Sequence, residues 1–111
     1  MREFRVDQAE TSGDMLLKIV GEVDIATVGE VQHALDKALR SPTERIVVDL
    51  SGVAFMDASG AALLLRYDAL ARAFGHSLVV VRGTPCVQRL LELTGVAYRL
   101  EIIDQSPARA A

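Results

Sequence analysis

The sequence predicts a single α/β domain, a mixed sheet of about five strands with helices packed on it. Three observations carry that prediction. From Arg45 onward the chain alternates strand, helix, strand, helix, strand. The strands in that stretch are near-continuous apolar runs such as Leu78-Val79-Val80-Val81. Such runs mark strands buried on both faces of a parallel or mixed sheet covered by helices. Ahead of them, the turn cluster Thr11-Ser12-Gly13-Asp14 separates two further strand signals, as in an antiparallel hairpin.

Phe4 to Glu10 alternates weakly and reads as an edge strand, and Met15 to Val20 is its partner, ended by Gly21. A helix follows from Ala26 or Thr27 to Leu39, with Val28, Val31, Leu35, Ala38 and Leu39 on one buried stripe. Thr27-Val28-Gly29-Glu30 matches a capping box, and Asp24 is an alternative cap one turn earlier. Ser41-Pro42 closes this helix. Arg45 to Leu50 is the third strand, followed by a hinge at Ser51-Gly52. The second helix runs from Ala61 to Phe74, where Gly75 stops it, and Ser77 to Arg82 is the fourth strand. The third helix spans Pro85 to about Thr94, with Pro85 near its first position and Gly95 past its end. Tyr98 to Ile103 is the last strand. The domain thus occupies residues 1–104, and Gln105 to Ala111 reads as a flexible tail.

A chain of 111 residues with 50% hydrophobic and 24% charged side chains has the bulk for one self-sufficient core. The net charge of -3 and the lack of a basic stripe argue against nucleic acid as a partner. Five aromatic residues, none of them Trp, are too few for base-stacking platforms. No apolar run reaches membrane-spanning length, and the charged first residues are no signal peptide. A cytoplasmic protein without membrane insertion is expected. Cys86 is the single cysteine and reads as a buried or half-buried structural thiol. His33 and His76 have no metal-ligand spacing, so no metal is expected. Phosphate-cradling glycine loops and nucleophile–base patterns are missing, so no catalytic residues are assigned.

The informative segment is Asp57-Ala58-Ser59-Gly60, between a β-branched strand and a helix. Ser59 is placed to cap the helix N-terminus, its hydroxyl beside free backbone N–H groups. A phosphate on that hydroxyl would sit in a favourable field, since helix N-termini attract anions. Asp57 could equally be a turn residue whose carboxylate bonds local amides.

Val47-Val48-Asp49-Leu50-Ser51-Gly52-Val53 leading into Phe55-Met56-Asp57-Ala58-Ser59-Gly60 resembles the signature of STAS domains, and of bacterial anti-sigma factor antagonists in particular. The resemblance runs from Phe4 to about Ile103. It includes Gly21-Glu22-Val23-Asp24 and Leu90-Leu91-Glu92-Leu93-Thr94-Gly95, in the family's order. It implies that Ser59 is the phosphoacceptor and that Asp57 shapes the acceptor loop. It also implies that Asp24 belongs to the kinase-facing surface, while remaining a candidate cap. Many members carry serine where Ala58 stands, so Ser59 is the sole acceptor in this loop. Ala61-Ala62 replaces a more usual bulky residue plus glycine.

By this resemblance the unphosphorylated form binds an anti-sigma factor that is also a serine kinase, and so frees a sigma factor. Phosphorylation of Ser59 switches it off, and a PP2C-type phosphatase restores it. Such partner-switching serves stress-response or sporulation signalling in bacteria. The nucleotide belongs to the kinase, so no cofactor is expected. Two other readings stand beside it: a STAS docking subunit of a transporter or signalling assembly, and a small nucleotide- or lipid-binding module.

The second helix has two apolar sides. Leu63, Leu64, Tyr67, Leu70, Ala71 and Phe74 should face the sheet. Ala62, Leu65, Ala69 and Ala73 form a milder strip flanked by Arg66 and Arg72. That strip either packs against the Pro85 helix or docks a partner. The candidate partner-binding residues are therefore Asp24, Asp57, Ser59, Gly60, Leu65 and Ala69.

Overall fold

The computed structural model describes residues 3–107. Its strands are β1 (Arg5–Thr11), β2 (Asp14–Val23), β3 (Arg45–Met56), β4 (Ser77–Val81) and β5 (Glu101–Ile103). Its helices are α1 (Val28–Leu39), α2 (Ala58–Ala73) and α3 (Pro85–Leu93). The strands form one sheet in the order β1-β2-β3-β4-β5. β1 and β2 are an antiparallel hairpin, and each later neighbour is parallel. Parallel neighbours need a crossover, and α1, α2 and α3 supply the three. This is the expected mixed α/β sheet.

Alternate strand residues point to opposite faces. Leu17, Ile19, Ile46, Val48, Leu50, Leu78 and Val80 meet Leu35, Leu64 and Leu91 of the helices in one core cluster. Val47 and Val79 point the other way, outside that cluster, yet are only 0% and 1% exposed. The strands are therefore buried on both faces, as the apolar runs suggest, although the helices pack on one. On the opposite face Ser106 is buried and lines a cleft of about 210 Å³ with Leu16, Val47 and Asp49. Of the expected tail Gln105 to Ala111, residues 108–111 lie outside the described ones.

Strand lengths depart from the sequence reading where pairing overrides glycine. β2 runs through Gly21 to Val23, and β3 runs through the expected hinge at Ser51-Gly52 to Met56. Val20 pairs with Gly52, Gly21 with Val53 and Val23 with Met56, with register shifts between Lys18 and Val20 and between Gly21 and Glu22. Gly21 has φ +112, and a Cβ there would lie 2.3 Å from the Glu3 carbonyl oxygen, so only glycine fits this irregular stretch. At the other end, the expected strand from Tyr98 shortens to Glu101–Ile103. Val96–Tyr98 is a 3₁₀ turn that returns the chain from α3, and it leaves Tyr98 exposed.

His76 joins two segments. Its Nδ1 lies 2.7 Å from the Thr43 carbonyl oxygen and its Nε2 2.8 Å from that of Leu39, at the end of α1. Cys86 corrects another expectation: it is exposed, because α3 buries Val87 and Leu91 instead. Among the described residues no helix is long and apolar enough to cross a membrane.

Candidate functional site

Val23 and Met56 are partners at the same end of the sheet, so the loops that follow β2 and β3 emerge side by side. The Asp57 N–H donates to the Val23 carbonyl at 3.0 Å, which extends the ladder one residue past the strand. Asp57 is thereby held extended, at φ -102 and ψ -176, and the helix starts immediately after it.

This geometry revises the role of Ser59. The N-cap of α2 is Asp57, and Ser59 is the second helical residue. Asp57 Oδ1 accepts the Ser59 N–H at 2.9 Å and the Ser59 hydroxyl at 2.5 Å. The Ser59 hydroxyl hydrogen thus points inward to a carboxylate, which leaves the oxygen lone pairs facing outward. Those bonds hold the Asp57 carboxyl below the usual aspartate range. The Ser59 hydroxyl is the largest cause; burial opposes it, and the Ser59 and Gly60 amides reinforce it. Ser59 and Asp57 are both half-buried, so the hydroxyl is ordered and still reachable.

Gly60 packs against the strand ends. A Cβ at Gly60 would lie 2.8 Å from Met56 Cγ and 2.9 Å from Val23 Cγ1. Close approach, not backbone conformation, selects glycine here.

Asp24 is a turn former and not the cap of α1. Its Oδ1 accepts the Ala26 N–H at 2.9 Å, and its carbonyl accepts from Thr27 and Val28 at 3.1 and 2.8 Å. The capping box expected at Thr27 does not form, although Thr27 is the N-cap. Its hydroxyl instead donates to the Glu22 carbonyl at 2.7 Å and accepts from the Asp24 N–H at 3.0 Å. That bonding ties the turn to the strand it leaves.

The two apolar sides of α2 separate as follows. Leu63, Leu64, Tyr67 and Ala71 are buried and Leu70 is half-buried, but Phe74 is 60% exposed because it ends the helix. On the outer side Ala62, Ala69 and Ala73 are exposed and Leu65 is half-buried. Leu65 also packs against the core, whereas the three alanines lie open to solvent. Ser59, Ala62, Arg66, Ala69 and Ala73 follow one another at helical spacing, so the strip is continuous with Ser59. Ser59, Ala62 and Arg66 also share a groove of about 340 Å³ with Val28 and Gln32 of α1.

Sequence reasoning missed Ile25 and Phe55. Ile25 is 83% exposed in the loop beside Asp24, and Phe55 is 44% exposed one residue before Met56. The available signal was an isoleucine inside a polar turn. Together these residues give this end of the sheet an apolar rim around two carboxylates and a hydroxyl, a composition suited to a protein partner.

Ala69→Glu separates docking from packing. With Ala69 open to water, the variant should melt within about 2 °C of the parent, since glutamate is a good helix former. Partner affinity should fall about tenfold or more, because the contact would bury an unpaired charge. Calorimetry on both quantities checks this, and unchanged affinity in a folded variant would remove Leu65 and Ala69 from the interface.

Comparison with known proteins agrees with this architecture. Residues 6–103 match the family model described as Mlab, STAS domain. The anti-sigma F factor antagonist of Paenibacillus polymyxa is 30% identical over 102 residues, covering 91% of this chain and 87% of that protein. An anti-sigma factor antagonist from Mycobacterium paratuberculosis superposes with a TM-score of 0.87 at 19% identity, over 97% of this chain and 92% of the other. The anti-sigma factor antagonist SpoIIAA in its unphosphorylated form gives a TM-score of 0.78 at 19% identity, over the same shares of each chain. With a family match over residues 6–103 and a 30% identical relative covering 91% of the chain, the protein belongs to the STAS domain family.

Proposed function

We propose that this protein is an anti-sigma factor antagonist switched by phosphorylation of Ser59. The single observation that carries this reading is the Ser59 hydroxyl, held by Asp57 at the exposed start of α2. In its unphosphorylated form the protein binds a serine-kinase anti-sigma factor in the cytoplasm, and the sigma factor is released. The surface is the sheet end carrying Asp24, Asp57, Ser59 and Gly60, extended along α2 by Leu65 and Ala69.

The protein itself is a binder, not a catalyst. The kinase holds ATP; the Ser59 Oγ attacks the γ-phosphorus and the Oγ–P bond forms. The bond from that phosphorus to the β-phosphate bridging oxygen breaks, ADP leaves, and the hydroxyl proton passes to a base of the kinase. Asp57 orients the hydroxyl before transfer. A PP2C-type phosphatase hydrolyses the phosphoserine and returns the protein to its binding form.

Incubation with the cognate kinase and ATP, followed by peptide mapping, tests the assignment. Phosphate is expected at Ser59 alone, and the Ser59→Ala variant should take up none. Stoichiometric phosphate at Thr27, Ser51 or another residue would overturn it.

A further inference from the structure

Phosphorylation changes what Ser59 can bond. The hydroxyl that donates to Asp57 Oδ1 loses its hydrogen, and a phosphate of nearly two negative charges takes its place beside the same carboxylate. Repulsion from Asp57 would favour a phosphate turned from that carboxylate toward the groove between α1 and α2. That groove is lined by Val28, Gln32, Ala62, Leu63 and Arg66, and Arg66 is the one cation among its described residues.

Seven residues separate Ser59 from Arg66, which is 20° short of two full helical turns, so both lie on one face of α2. Long side chains on a helix tend to lean toward its N-terminus, and Arg66 lines the groove together with Ala62 and Ser59. At rest the guanidinium lies 5.3 Å from the Tyr67 ring centre, and the Tyr67 hydroxyl donates to Asp36 of α1. Arg66 is exposed, and its contacts with the ring and hydroxyl of Tyr67 are weak beside a charge-assisted bond to phosphate. Asp57 bonds the Ser59 hydroxyl and Asp36 the Tyr67 hydroxyl, and Gln32, one turn before Asp36 on α1, lines the groove and offers an amide donor.

We propose that Arg66, assisted by Gln32, is the intramolecular receptor for the phosphate on Ser59. The inference rests on the Ser59 switch proposed above, and gives the switched-off form a structure of its own. The phosphate is held across the α1–α2 groove, and Arg66 is withdrawn from the docking strip that it interrupts. Inactivation then combines added charge with loss of a surface cation.

The test does not depend on the kinase. Phosphoserine is incorporated at position 59 during synthesis of the full chain, in the parent, Arg66→Gln and Arg72→Gln backgrounds. Arg72 lies on the same helix but pairs with Asp68, so it serves as the control cation. The ³¹P NMR titration midpoint of phosphoserine should lie roughly half a unit or more lower in the parent than in Arg66→Gln, since a nearby cation favours the dianion. Arg72→Gln should behave as the parent. Equal midpoints in parent and Arg66→Gln, or an equal shift in Arg72→Gln, would overturn the proposal. Phosphate mapped by the kinase to another residue would instead count against the Ser59 reading.

Discussion

Phosphorylated protein should bind the anti-sigma factor about a thousandfold more weakly than unphosphorylated protein, a difference of about 4 kcal/mol. The physical source is a dianion placed at the proposed contact, beside Asp24 and Asp57, which are already acidic. Ser59→Ala should bind with near-parent affinity and resist inactivation. The cap of α2 is Asp57, and its bond to the Ser59 N–H survives loss of the hydroxyl. Ser59→Asp should fall between the two states, because a carboxylate carries less charge and fewer acceptor oxygens than phosphate. Titration calorimetry with the purified anti-sigma factor measures all four forms. Equal affinity across them would exclude a charge switch at Ser59.

Gly60→Val should produce the largest loss of stability of any change in the acceptor loop. The new Cβ would start 2.8 Å from Met56 Cγ and 2.9 Å from Val23 Cγ1, and further methyl groups would press into the same core. Met56 can swing aside, whereas Val23 is β-branched, stiff and 1% exposed. Overpacking of this kind costs about 1–3 kcal/mol. For a domain of this size that is roughly a 5–15 °C fall in melting temperature. Gly60→Ala should lose less but still lose. That sign is diagnostic, because glycine to alanine at an open helical site gains about 1 kcal/mol. A melting temperature at or above the parent's in Gly60→Ala would show that the loop has room at this position.

The fold class was legible because its signals are local and repeated. The apolar runs around Ile46–Val48 and Leu78–Val81, separated by helical spacing, admit few arrangements other than a helix-covered sheet with parallel strands. The Asp57–Gly60 loop was legible for a different reason: Asp57, Ser59 and Gly60 lie within four residues, so the segment stands out in sequence, although its geometry rests on Val23. Errors arose where distant strands decide. Gly21 and Ser51-Gly52 read as breaks, yet β2 and β3 pair through both, since each supplies the other's hydrogen-bonding partner. The β propensity of Tyr98 yielded to the short reach of β5 along β4.

By itself, then, the sequence determined the order of elements, the hairpin, the stripe of α1 that faces the core and the candidate serine of the Asp57–Gly60 loop. These follow from periodicity and neighbouring residues, which act over one or two turns of chain. Only the tertiary structure decided that Asp57 and not Ser59 caps α2, because the Asp57 N–H is spent on Val23, thirty-four residues earlier in the chain. It alone decided that Gly60 is needed for the approach of Val23 and Met56, and that Ala62, Ala69 and Ala73 on the outer side of α2 lie open to solvent. It also brought Arg66 and Gln32 to one groove with Ser59. Each of these depends on which strands and helices become neighbours, and that is set by closing the whole sheet.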